Sequence, residues 1–196
     1  MLINFEGIDG CGKSTQIHLL KQYLEERGKK VQVYREPGGT SIAEEIRSIL
    51  LDSKYEISAV SELLLFSAAR AQLVQDKIIP ALERGITVIL DRFYDSTTAY
   101  QGYGRSVLPI DDIFLLNKMA SCGLVPEITF YLRISQELAF QRRKERVQDR
   151  MEMAGYDFYS RVLEGYEMMA KKYPRFIILD GAQPIESIAK QIQSHI

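Results

Sequence analysis

The sequence predicts an α/β fold: a doubly wound domain with a five-stranded parallel sheet and helices on both faces. Three observations carry this. Apolar runs of strand length alternate with stretches of helical periodicity along the whole chain. The run Thr87-Val88-Ile89-Leu90 is almost wholly apolar, as befits a strand covered on both faces in the centre of a parallel sheet. Glycine-rich and charged segments collect where the strands end, the edge at which open α/β sheets bind ligands.

In order, Leu2-Ile3-Asn4-Phe5 is the first strand, followed by a glycine-rich turn and a helix with Ile17, Leu19, Leu20, Tyr23 and Leu24 at helical spacing. Gly28 ends that helix. Val31 to Tyr34 is the second strand and runs into the abrupt turn Arg35-Glu36-Pro37-Gly38-Gly39-Thr40. Ser41 is the expected cap of a helix reaching about Leu51, with Glu44 completing a capping box. Ile57 to Glu83 reads as one long helix closed by Gly85, with Phe66 and Arg70 one turn apart on the same face. The third strand, Thr87 to Leu90, delivers Asp91 and Arg92, and a polar, aromatic segment follows from Phe93 to Arg105. Pro109 to Ser121 is helical, and Ile128 to Leu132 is the fourth strand. Ser135 caps a helix that becomes densely charged through Arg142, Arg143, Lys144, Arg146 and Arg150. Asp157 to Lys172 is helical, Phe176 to Leu179 is the fifth strand, and Pro184 starts the last helix.

At 196 residues the chain suits one domain, 1–196, with a sizeable core. A formal net charge of -1 gives no electrostatic footprint for nucleic acid. No apolar run is long enough to span a bilayer, and Leu2 to Phe5 is too short for a secretory signal, so a cytoplasmic location is expected. Two cysteines, Cys11 and Cys122, support neither a zinc site nor a disulfide framework.

Gly7-Ile8-Asp9-Gly10-Cys11-Gly12-Lys13-Ser14 matches G-x-x-x-x-G-K-[ST], the phosphate-binding P-loop, between a strand and a helix as the motif requires. Glycines let the backbone curl so that several N–H groups converge on one anion, and the following helix aims its positive end at the same place. Lys13 would reach the β- and γ-phosphates, and Ser14 would place its hydroxyl on magnesium.

Three features narrow the chemistry. Asp91 follows an apolar strand as a Walker-B acid does and would steer Mg2+. Arg35, Arg47, Arg70 and Arg92 exceed what one triphosphate needs and point to a second phosphorylated ligand, because guanidinium forks match phosphate oxygens. The arginine-rich stretch near 141–154 could close as a lid that excludes water, although such a run is also what a solvated helix face looks like.

FEGIDGCGKST, REPGGT at Arg35 to Thr40, LLLFSAAR at Leu63 to Arg70, DRFYDSTTAYQGYGR at Asp91 to Arg105 and DRME at Asp149 to Glu152 together resemble the thymidylate kinase family over essentially the whole chain. The resemblance implies a P-loop NTPase-type three-layer fold, ATP and dTMP as substrates, ADP and dTDP as products, Mg2+, and a homodimer. It implies that ATP meets the loop from Gly7 through Thr15, including Ile8 and Cys11, together with Arg142 of the lid and Gln183, whose turn borders the adenine. It puts Asp9, Glu36, Pro37, Arg47, Phe66, Arg70, Arg92, Thr97, Tyr100 and Gln101 around dTMP. Phe66 stacks on the base, Arg47 and Arg92 clamp the acceptor phosphate, and Tyr100 crowds the ribose 2′ position; from pattern alone, Phe66 reads as core. Some family members carry an arginine directly after the loop acid; here that position is Gly10, so the lid must supply the charge. Arg146 is the expected donor, with Arg143 and Lys144 as neighbouring alternatives, and Arg150 anchors the lid or packs by the adenine. The catalytic set is thus Lys13, Arg92, Asp9 and Arg146, with Ser14 and Asp91 for the metal. Another nucleoside monophosphate kinase, a deoxynucleoside kinase, or a non-catalytic P-loop ATP-binding module are the competing readings.

Overall fold

The structure, a computed structural model, describes residues 1–144, 150–151 and 154–196. Five strands, β1 (Leu2–Glu6), β2 (Val31–Arg35), β3 (Thr87–Asp91), β4 (Ile128–Arg133) and β5 (Phe176–Asp180), form one parallel sheet in the order β2-β3-β1-β4-β5. The helices among the described residues are α1 (Lys13–Glu25), α2 (Ser41–Leu51), α3 (Ala59–Leu73), α4 (Ile79–Glu83), α5 (Tyr94–Thr97), α6 (Ile110–Ala120), α7 (Gln136–Arg143), α8 (Tyr156–Lys172) and α9 (Ile185–Gln193).

The period of two along a strand sorts the core. Ile3, Phe5 and Ile89 pack with Ile17, Leu20 and Leu24 of α1, whereas Leu2, Val88 and Leu90 pack with Leu73, Val74 and Ile78. The chain moves from β1 to one side for β2 and β3 and returns to the other for β4 and β5, so β1 is the topological switch point. Phe5 is level with Asp91 and with Phe130, and Arg35 is level with Asp91. The ends of β1, β2 and β3 therefore open onto a common edge.

Three local features differ from expectation. Thr40, not Ser41, is the cap of α2: its extended backbone leaves Oγ1 to accept from the Ala43 N–H at 3.1 Å. Glu44 accepts from the Gly39 N–H at 2.8 Å, tying the preceding turn to the helix. The long helix expected from Ile57 to Glu83 begins at Ala59 and is interrupted by a π-helical turn at Val74–Ile78. Pro80 has no N–H to continue the ordinary ladder, and the wider turn just before it absorbs the mismatch. The polar segment after β3 is also helical, with α5 running into a second π-helical stretch, Thr98–Gly104, closed by the Arg105 N–H on the Tyr100 carbonyl at 2.8 Å. Gly104 allows α8 to lie against it, since a Cβ there would meet Phe158 at 2.6 Å.

Candidate active site

The loop leaving β1 takes backbone angles open to glycine, with φ of 136° at Gly7, 86° at Gly10 and 100° at Gly12. A Cβ on Gly7 would stand 2.6 Å from the Leu132 carbonyl oxygen. Ile8 and Cys11 turn their side chains into the core, so these two positions offer a ligand only their backbone. Lys13, the first residue of α1, folds its Nζ back over the loop to donate to the carbonyls of Gly7 (2.9 Å) and Ile8 (3.4 Å). Ser14 Oγ donates to Asp91 Oδ2 at 3.3 Å. This pair of hard oxygen donors beside a phosphate loop fits Mg2+, which takes one or two protein oxygens and completes its shell with phosphate and water.

Two clefts meet at this edge. One is lined by the loop, with Gly12, Lys13, Ser14, Asp91 and Arg142 among its walls. The other is bounded by Phe66 and Arg70 from α3 and by Thr97, Tyr100 and Gln101 from the helical segment after β3. Asp9, Glu36, Arg47 and Arg92 line both. Two acids and two arginines thus stand where the clefts join.

Arg92 Nη2 donates to Asp9 Oδ1 at 2.9 Å and to the Tyr100 hydroxyl at 3.2 Å. Its φ of 73° is a left-handed conformation that costs a non-glycine residue energy, and it turns the side chain into the junction. Partial desolvation would raise the Asp9 pKa, but the charges of Arg92 and Lys13 outweigh it and hold the carboxyl well below the usual range. Glu36 is the opposite case. Burial pushes its carboxyl up to about 7, Arg70 offsets part of the shift, and Glu6 adds to it. Arg70 Nε donates to Glu36 Oε2 at 2.8 Å, and its Nη2 lies 2.7 Å from the same oxygen. The Glu36–Pro37 bond is cis, and Arg47 Nη1 donates to the Pro37 carbonyl at 2.9 Å.

A loop for one phosphate chain, a second cleft and a junction of paired acids and arginines are the parts of a phosphotransferase, and comparison with known proteins decides which. The family model described as thymidylate kinase matches residues 5–192. The chain belongs to the thymidylate kinase family. It is 52% identical over 207 residues to the thymidylate kinase of Chlorobaculum tepidum, covering 100% of this chain and 96% of that one. It is 48% identical over 191 residues to that of a Thermoanaerobacter species, covering 97% and 94%. The crystal structure of thymidylate kinase from Ehrlichia chaffeensis superposes with a TM-score of 0.83 at 36% identity, covering 100% of this chain and 97% of that one.

Within this family member the structure brings Asp9, Glu36, Pro37, Arg47, Phe66, Arg70, Arg92, Thr97, Tyr100 and Gln101 together around one cleft. Arg142 Nη1 spans the Gly10 (3.3 Å) and Gly181 (3.0 Å) carbonyls, joining the phosphate loop to the turn after β5. Gln183, on that turn, accepts from Gln191 of α9 and lies outside both linings. Arg143 is buried against Tyr159 and the Ala139 carbonyl. Arg146 lies outside the described residues, as does part of the 141–154 lid. Arg150 pairs with Glu62 Oε2 at 2.6 Å.

Two acids escaped the sequence reading. Glu62 on α3 accepts from Gln101 (2.8 Å) and Arg105 (3.3 Å) as well as pairing with Arg150, holding the wall of the second cleft. Glu6 is fully buried at the end of β1. Its signal was present: Asn4 and Glu6 are polar at alternate positions of an otherwise apolar strand, hence on one face.

Proposed function

We propose that this chain transfers the γ-phosphoryl group of ATP to the 5′-phosphate of dTMP, giving ADP and dTDP for dTTP synthesis. The observation that carries the site assignment is the junction: Asp9, Glu36, Arg47 and Arg92 border both clefts, so each ligand's phosphate end meets the same charged group.

In this reading the glycine loop and the α1 N-terminus cradle the donor phosphates, and Lys13 swings from the Gly7 and Ile8 carbonyls to the β- and γ-oxygens. Ser14 and Asp91, 3.3 Å apart, would hold Mg2+, which when bound would supply positive charge against the phosphoryl group in transfer. Phe66 supplies a ring face for thymine, with Arg70, Thr97 and Gln101 at the base edge. Tyr100, its hydroxyl turned to Arg92, fills the space beside the sugar where a 2′-hydroxyl would sit. Arg47 and Arg92 face the acceptor phosphate, and Arg92 also meets the transferring group. Asp9 orients Arg92 and the acceptor sugar. Phosphoryl transfer asks chiefly for in-line positioning and stabilised negative charge, which these groups supply. Arg146 is assigned to the transferring group from the lid, Arg142 to ATP binding and Gln183 to the adenine side.

A homodimer completes the proposal. Val60 and Leu64 on α3, and Leu115 and Met119 on α6, are exposed apolar pairs at one-turn spacing on neighbouring helices, which supports a helical interface. No described helix is long and apolar enough to cross a membrane, and a cytoplasmic location is part of the same reading.

The test is ADP release measured across dTMP, dUMP, UMP, GMP and AMP. dTMP should be turned over best, with dUMP next. Fastest turnover of a ribonucleotide or purine acceptor would overturn the assignment.

A further inference from the structure

We infer that Glu6 is a positioning residue for phosphoryl transfer, setting the guanidinium of Arg92 through the hydroxyls of Ser96 and Tyr166. The inference rests on the reading of Arg92 as the arginine at the phosphate junction.

Glu6 is 0% exposed and meets five donors. Oε1 accepts from the N–H groups of Phe93 (2.9 Å) and Ser96 (3.2 Å) and from Asn4 Nδ2 (3.0 Å). Oε2 accepts from Ser96 Oγ (2.6 Å) and the Tyr166 hydroxyl (2.8 Å). Those two hydroxyls are also the acceptors for Arg92 Nη1, at 3.0 Å from Ser96 Oγ and 3.3 Å from Tyr166.

The chemistry fixes a polarity. A hydroxyl has one hydrogen; committed to Glu6, it leaves only lone pairs for the next neighbour. The two hydroxyls also lie 3.0 Å apart, where either can donate to the other; Glu6, by taking both hydrogens, removes that option and leaves two oxygens, rather than hydrogens, toward the guanidinium. Asp9 and Tyr100 receive the other nitrogen, Nη2, so the fork is held from two sides. The same carboxylate grips the backbone. The Phe93 N–H that it binds immediately follows the left-handed Arg92, and the Arg92 N–H itself donates to the Phe5 carbonyl at 3.0 Å. One buried acid at the end of the strand that launches the phosphate loop thus ties down both the main chain and the side chain of Arg92. Tyr166, stacked on Tyr131 with ring centroids 5.1 Å apart, is placed by α8, far along the sequence from either.

The test is a double-mutant cycle between Glu6→Gln and Arg92→Ala, with kcat, both KM values and Tm for each protein. An amide at position 6 presents a donor where only donors wait, and one or both hydroxyls must reverse. Glu6→Gln should lower kcat roughly tenfold to a hundredfold, the scale of a small misplacement of a catalytic group, with KM for ATP unchanged. In the Arg92→Ala background the same substitution should leave kcat within about twofold, because nothing remains to be positioned. An equal loss in both backgrounds would overturn the inference and mark Glu6 as purely structural. Full turnover by Arg92→Ala alone would overturn the reading of Arg92, a distinguishable failure. If Glu6→Gln does not fold, Tyr166→Phe carries the same cycle, with a several-fold loss expected that vanishes without Arg92.

Discussion

Arg70 Nη2 lies 2.7 Å from Glu36 Oε2 with both side chains almost fully buried, while Glu36 Oε1 has no hydrogen-bond partner among the described residues. A buried ion pair with one oxygen left over is costly to the folded protein, and it faces the second cleft. On the proposed function, a donor on the acceptor nucleotide would satisfy that oxygen.

That geometry gives a pH dependence with a definite sign. The folded Glu36 carboxyl titrates near 7 against an ordinary value of 4.5. Between those values the folded chain holds a proton that the unfolded chain has lost, so stability falls as pH rises through the window. Urea midpoints of the ligand-free wild type should drop relative to those of Glu36→Gln between pH 5 and pH 8. A constant difference across that range would show that Glu36 ionises normally.

Arg92→Ala removes the group that touches both clefts. Turnover should fall roughly a hundredfold or more, the scale set by losing a preorganised charge-stabilising donor. KM for dTMP should rise, while KM for ATP stays close to the wild type. Steady-state kinetics with each substrate varied in turn checks this, and an intact dTMP affinity would remove Arg92 from the acceptor side.

Gly10 and Gly28 separate backbone cost from crowding. Both have positive φ, 86° and 73°, but a Cβ on Gly10 would meet the Ala139 carbonyl oxygen at 2.9 Å, whereas nothing lies within 4 Å of one on Gly28. Gly28→Ala should cost about 1–2 kcal/mol from the left-handed backbone alone. Gly10→Ala should cost more and should also slow turnover, because α7 has to move away from the phosphate loop. Equal urea-midpoint shifts for the two variants would contradict this.

The same position shows what was legible in the sequence. That Gly10 leaves no arginine beside Asp9 is visible in the string of letters; that α7 closes over it, with Arg143 Cγ 3.3 Å from where a Cβ would be, is not. The five strands and the P-loop were readable because apolar runs, glycine spacing and the lysine-serine pair are local signals. The segment after Arg92 was not readable as a helix. Its π-helical stretch lies under α8, with Gly104 against Phe158, a contact the local sequence does not show. The cap of α2 slipped by one residue because Thr40 and Ser41 carry the same chemistry and only backbone angles separate them. Glu6 and Glu62 went unnoticed for a related reason. A lone acid at a strand end or on a helix reads as a solvated group until the fold brings Tyr166, or Gln101, Arg105 and Arg150, to meet it.

On the proposed function the donor and acceptor phosphates meet at the Asp9–Arg92 junction, and the γ-phosphoryl group passes directly between them. Incubation with ATP labelled in the γ-phosphate, dTMP and Mg2+, followed by separation of the products, tests this most directly. The label should appear in dTDP, one equivalent for each ADP formed, with little inorganic phosphate. Label released as inorganic phosphate, with dTMP unchanged, would contradict it.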